Sequence, residues 1–170
     1  MTEYKDIAGN MKPECVKDGE FREVIAKLGK HITDRIPQKL GLEKITADDP
    51  EYWGLACIIS DEEAELALKM PVRKPMTFEQ IKKASGIEDD AKLQELLDHM
   101  SWTGLLEYNR ENLDGKNPNH EKRWVLPMFV PGVGEFTNMN EDEIREFPEL
   151  GRFFERMTFL PLEKVTPMVP

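Results

Sequence analysis

The stretch from Thr77 to Pro127 carries the chain's densest punctuation, and it restricts which elements can follow one another. Thr77 with Gln80 has the spacing of a reciprocal helix cap, in which the hydroxyl accepts an amide of the first turn and the N3 side chain returns the bond. Phe78, Ile81 and Ala84 then fall on one inward face. Gly86 is the residue type that closes a helix in the left-handed conformation. A second helix is predicted from about Asp89 to Trp102, because Leu93, Leu96, Leu97 and Met100 repeat at i, i+3, i+4 and i+7. Trp102 is expected at its buried end, where an aromatic contributes about 2–3 kcal/mol by area. Gly104 stops that helix, and Leu105–Tyr108 alternates as a half-buried strand does. Asp114–Gly115 and Asn117–Pro118–Asn119 turn the chain toward a returning strand, Arg123–Leu126.

Helix, turn, helix and a two-stranded ribbon is the order of a winged helix, a variant of the helix-turn-helix. Ser60 and Glu63 form a second capping box and open a first helix that Met70–Pro71 closes. Val72–Met76 reads as an extended link, since Pro75 biases Lys74 away from helix. The winged unit is therefore expected over residues 60–127. Residues 1–59 read as a loose arm and a helical extension. Phe21, Val24, Ile25, Leu28 and Ile32 make a helical stripe that Gly29 weakens and Pro37 ends. Gln38–Asp49 connects it to a helix opened by Asp49–Pro50. In residues 128–170, Met128–Phe136 is apolar but broken by Pro and Gly, and is expected to lie extended on another surface. Asn140 caps an acid-rich helix start, and Leu150, Phe153, Phe154 and Met157 form a further stripe. The apolar, proline-rich end is expected to lead into a further domain. The expected class is mainly α with a small β-wing, hence α+β, with a winged helix-turn-helix core and extra helices at both ends.

Charge separates the functions open to such a fold. The net charge is −10, whereas DNA binding draws on Lys and Arg that neutralise phosphates. The helix that would enter a groove carries Glu88, Asp89, Asp90, Glu95 and Asp98 and no arginine. Lys82, Lys83, Lys116, Lys122 and Arg123 are the candidate nucleic-acid contacts, but Glu107, Glu111, Asp114 and Glu121 interleave with those of the wing. The electrostatics favour a protein-facing surface, for which Glu95, Asp98, Phe129, Val130 and Phe136 are the candidate residues. No apolar run is long enough to span a bilayer, and the first residues lack a secretory pattern, so a cytoplasmic protein is expected.

Catalytic and metal-site patterns are missing. GxSxG, Walker A, HExxH and dinucleotide fingerprints do not occur. His31, His99, His120 and the cysteines offer no pair at ligand spacing. Cys57, on a predicted helix, is expected to be a small buried hydrophobe rather than a redox thiol, and a disulfide to Cys15 is disfavoured in a reducing compartment. No catalytic, cofactor-binding or metal-binding residue is assigned.

Three segments together carry a resemblance: Met70–Pro71 through Gly86; Leu97–Asp98–His99–Met100–Ser101–Trp102–Thr103–Gly104–Leu105–Leu106–Glu107–Tyr108; and Arg123–Trp124–Val125–Leu126–Pro127–Met128–Phe129–Val130–Pro131–Gly132–Val133–Gly134–Glu135–Phe136. They resemble the N-terminal region of anaerobic multidomain iron–sulfur (4Fe-4S ferredoxin-type) pyridine-nucleotide-disulfide oxidoreductases. The resemblance implies a winged-helix-like domain that precedes 4Fe-4S modules and, in larger members, a unit binding FAD and NAD(P). It implies no cofactor in this chain. The expected function is a non-catalytic accessory domain whose partners are other domains of the same polypeptide or a redox partner protein, with a homodimer also open. The alternative is a winged-helix DNA-binding transcriptional regulator.

Overall fold

The computed structural model describes residues 19–33, 45–47, 49–129 and 132–151. The arm up to residue 18, the helix end expected at Pro37, most of the Gln38–Asp49 connector, the stripe from Phe153 to Met157 and the tail to Pro170 lie outside the described residues. The class is α+β: helices are combined with a small three-stranded antiparallel sheet.

Helix α1 (Glu23–Thr33) buries Ile25, Leu28 and Ile32 completely. Gly29, which by sequence weakens this helix, is its crossing point with α2 (Pro50–Ala56). A Cβ there would run into the Glu51 carbonyl oxygen. Asp49 does not cap α2; its Oδ2 instead accepts from the amide and hydroxyl of Thr46 at 2.7 and 2.9 Å. Arg22 fixes the corner that follows. Its guanidinium donates to the carbonyls of Ala56 and Ile59 at 3.0 and 2.9 Å and to Asp61 at 2.6 Å. A cation there meets carbonyls left open where α2 ends.

Helix α3 (Asp61–Ala67) starts on the predicted capping box: Ser60 Oγ accepts from the Glu63 amide, and Glu63 Oε2 accepts from the Ser60 amide. Thr77 and Gln80 do the same for α4 (Phe78–Ser85), and Gly86 closes it at φ 77°. Ile81 is fully buried and Phe78 half-buried, but Ala84 is exposed, contrary to the expected inward face. Helix α5 (Asp90–Trp102) buries Leu93, Leu97 and Met100 as its stripe requires. Trp102 is half-exposed, which corrects the expectation of a buried aromatic. At about 100° per residue the stripe after Met100 continues at Gly104, and position 102 faces the other way.

Strand β1 (Met76–Thr77) adds a third strand to the expected two-stranded ribbon, formed where the extended link Val72–Met76 meets the cap of the next helix. Pro75 holds the backbone extended, and Met76 pairs with Trp124 and Thr77 with Arg123. Strand β2 (Glu107–Asn109) begins two residues later than predicted, and the expected half-buried alternation is absent: Leu105 and Leu106 are both buried and all three residues of β2 are exposed. It pairs with β3 (Arg123–Val125) in the register Glu107–Val125, Tyr108–Trp124 and Asn109–Arg123. The order is β1-β3-β2, so β3 is central and β2 is an edge.

The segment after β3 is not extended throughout. Val133–Met139 forms helix α6, with Val133, Gly134 and Thr137 buried. The glycine expected to break structure sits at its start, where the Gly132 amide donates to Glu135 Oε2 at 2.7 Å. Helix α7 (Glu141–Glu146) begins on the predicted Asn140 cap. Asn140 Nδ2 also donates to the Trp102 carbonyl at 2.7 Å, joining the start of α7 to the end of α5. A 3-10 turn (Pro148–Gly151) follows, with Leu150 buried. One continuous core runs from Ile25 to Leu150.

Helix α6 crosses the end of α5 at Gly104. A Cβ at Gly104 would stand 2.8 Å from Phe136 C and Thr137 N, and the φ of 84° is itself costly for any other residue. Gly115 has a similar φ of 71° but open space around it. Gly104→Ala is expected to destabilise by about 3 kcal/mol or more and Gly115→Ala by about 1 kcal/mol, read from urea denaturation midpoints. Equal losses at the two positions would contradict the close crossing.

Candidate functional site

Two surfaces compete for a functional role. The first is the exposed face of α5 with the neighbouring wing. Glu95 and Asp98 are exposed there, as predicted. Asp98 accepts from Gln94 Nε2 at 2.8 Å and lies 3.5 Å from Lys122 Nζ. Four of the five candidate nucleic-acid contacts are engaged within the chain. Lys82 pairs with Asp90 at 2.6 Å, and that hydrogen bond raises the lysine's pKa. Lys116 lies 3.8 Å from Asp114, whose own pKa is lowered chiefly by the Lys116 amide. Lys122 stands over the rings of Tyr108 and Trp124, at 4.5 and 4.7 Å from their centroids. Arg123 donates to the Lys116 carbonyl. Lys83 is exposed and has no ion pair among the described residues. On α5 itself, Lys92 pairs with Glu62, which raises its pKa. Exposed pairs of this kind add little stability, but each cancels a positive charge that a phosphate would need.

The second surface is a groove of about 580 Å³ between the end of α5, β2 and the α6–α7 corner. Trp102, Tyr108 and Met139 rim it with exposures of 52%, 57% and 77%. Phe136 and Leu106 form its floor side, and Glu107 and Glu141 its acidic edge. A second groove of about 560 Å³, toward Arg73 and Met128, shares Phe136 and Glu107 with the first. Of the residues expected to dock a partner, Phe136 is therefore brought to a groove. Phe129 is not: it is 5% exposed, part of the core, and its amide donates to the Ile32 carbonyl. Val130 lies outside the described residues. Trp102, Tyr108 and Met139 went unassigned in the sequence. The position of Trp102 off the buried stripe was the one available signal. Met139 had none, because its helix was not expected.

Several buried polar groups are structural. Glu63 is buried, returns the cap to Ser60 with one oxygen and meets His99 Nδ1 at 2.5 Å with the other. His31 contacts the Met70 carbonyl at 3.1 Å and His120 the Arg110 carbonyl at 2.9 Å. The three histidines thus serve three separate places. Cys57 is half-buried and disulfide-bonded, where a free thiol was expected; Cys15 lies outside the described residues. A 4Fe-4S cluster takes four thiolates, and with two cysteines in all the donor set of this chain does not fit one. Among the described residues no group of three His, Cys, Asp or Glu is placed to hold a metal ion.

Glu143 is not satisfied in this way. It is 3% exposed, and Oε2 has no hydrogen-bond partner among the described residues. It occupies the N3 position after Asn140, from which a glutamate ordinarily bonds back to the cap amide. Here that amide already donates to the Thr137 carbonyl at 3.3 Å, because α6 and α7 abut at Asn140. Burial pushes the Glu143 carboxyl up to about 8 from 4.5, and the Glu146 charge adds to it.

No family profile, curated protein or solved structure matches the chain. No helix among the described residues is long and apolar enough to cross a membrane.

A raised carboxyl pKa means that the folded state holds the proton more tightly than the unfolded state does. The contribution of Glu143 is thus most favourable below about pH 4.5 and is lost as pH rises through about 8. At about 1.4 kcal/mol per unit the span has a ceiling of about 5 kcal/mol. Glu143→Gln is expected to raise stability at pH 8.5 by a few kcal/mol and to leave it nearly unchanged at pH 4.5. Urea titrations at both pH values check this, and an equal change at both would contradict it.

Proposed function

We propose that the chain is a non-catalytic docking module built on a winged helix, serving interdomain packing, partner docking or regulation in an iron–sulfur/flavin oxidoreductase. The order α3, β1, α4, α5, β2, β3, with β3 between the other two strands, supports the winged-helix reading. The oxidoreductase setting rests on the resemblance of the three segments named above. The partner is then another domain of the same polypeptide or a redox partner protein.

The observation that carries the docking role is how charge and apolar surface divide. The helix face that would read DNA presents Glu95 and Asp98, and the nearby Lys82, Lys92 and Lys122 are paired with carboxylates. Exposed aromatic surface gathers instead beside β2, at Trp102 and Tyr108. Aromatic side chains are enriched where proteins meet proteins, while the acidic face repels phosphates.

Fluorescence anisotropy with a random duplex DNA at low and moderate salt checks the assignment against the regulator alternative. Binding is expected to be weaker than about 100 µM at moderate salt, outside the usual range for non-specific DNA binders. A steep salt slope, reduced by Lys122→Ala with Arg123→Ala, would establish the regulator instead. The purified chain is also expected to be colourless and without oxidoreductase activity; a visible cluster or flavin band would overturn the non-catalytic assignment.

A further inference from the structure

We infer that the groove between α5, β2 and the α6–α7 corner receives an arginine side chain carried on an extended apolar segment of a partner polypeptide. This rests on the docking role proposed above and specifies its partner. The walls are Trp102, Tyr108 and Met139, each more than half exposed even though His99 stacks on Trp102 with centroids 6.0 Å apart and Lys122 stands over Tyr108, and apolar patches of this kind, rimmed by polar groups, mark interaction sites. The edge is anionic: Glu107 and Glu141 line the groove and no Lys, Arg or His does. The Glu107 carboxylate has no hydrogen bond or ion pair among the described residues. Among the described residues Glu141 pairs with the exposed Arg145, at 3.0 Å, so the Glu107 carboxylate is the one left for a partner's cation.

Carboxylates beside aromatic faces select a cation, and a planar one best. A guanidinium stacks on an indole and still offers a fork of donors to a carboxylate, whereas an ammonium is a compact, strongly hydrated charge. The chain already uses related chemistry next door, where Lys122 Nζ stands 4.5 Å from the Tyr108 ring centroid. Strand β2 adds the preference for an extended segment. It is an edge of the sheet, all three of its residues are exposed, and one of them, Tyr108, lines the groove together with Glu107. An edge strand can take a further strand, with side-chain pockets supplying selectivity.

Trp102 reports this site by its fluorescence, since Trp53 and Trp124 are buried in the core. The probes are three blocked peptides with arginine, citrulline or glutamate between leucines. The arginine peptide is expected to shift Trp102 emission and to bind about tenfold tighter than its neutral citrulline isostere. The difference is expected to vanish in Glu107→Gln with Glu141→Gln, and peptide binding followed by a label is expected to fall about tenfold in Trp102→Ala. All three substituted side chains are at the surface, and circular dichroism confirms that the variants fold. An arginine peptide no tighter than citrulline, or a preference that survives the double glutamine variant, would overturn the inference. Equal binding of all three peptides, lost in Trp102→Ala, would also overturn it while leaving the docking role intact. No binding of any peptide at millimolar concentration overturns it too; the docking role then falls only if the duplex DNA assay is positive.

Discussion

The contact between Gly104 and the backbone of Phe136 and Thr137 sets the position of everything on the groove side of the molecule. Helix α5 delivers its buried stripe through Leu93, Leu97 and Met100, and the next residue on that stripe has no side chain. Helix α6 can therefore pass at backbone contact rather than at the usual interaxial distance. From that one crossing follow the depth of Phe136, the reach of Asn140 to the Trp102 carbonyl and the corner from which α7 begins. With α6 displaced by even a methyl group, the groove would lose the wall that opposes Trp102 and Tyr108.

The electrostatics act on specificity more than on stability. The pairs Lys82–Asp90, Lys116–Asp114 and Lys122–Asp98 are exposed or half-exposed, and such pairs contribute little to folding. Their consequence is a surface potential. With a net charge of −10, each cation held by a neighbouring carboxylate is one fewer available to a polyanion, and the unpaired Glu107 adds to a field that attracts cations. The same field would disfavour an acidic partner at the groove, so the charge pattern narrows the proposed partner.

What was legible in the sequence depended on whether the signal was local. The capping boxes Ser60–Glu63 and Thr77–Gln80, the closing Gly86 and the stripe of α5 each involve residues within two turns, and each has the predicted geometry. The third strand was hidden because Met76 and Thr77 have a strand partner only once β3, almost fifty residues later, is in place. Helix α6 was hidden because Pro131–Gly132–Val133–Gly134 breaks any periodicity, although it marks a helix start rather than an extended run. The groove needed both, along with a tryptophan that lies off its helix's stripe, so Phe136 alone was found and Phe129 was misassigned to the surface. The helical repeat predicts burial well but says little about which exposed residues converge.

The N3 glutamates show how tertiary context decides what a local motif means. Glu63, Glu135 and Glu143 each stand three residues after a helix cap. Glu63 returns its bond to the Ser60 amide and uses its second oxygen for His99; Glu135 returns its bond to the Gly132 amide. Glu143 cannot, because the Asn140 amide ends α6 in the same place that α7 begins. A buried carboxyl without a donor is tolerated by keeping its proton, which is a cost accepted for the tight corner. That corner carries Met139, Asn140 and Glu141 into the groove wall. The raised pKa of Glu143 and the shape of the proposed docking surface are thus two results of one geometric choice, the direct junction of α6 and α7.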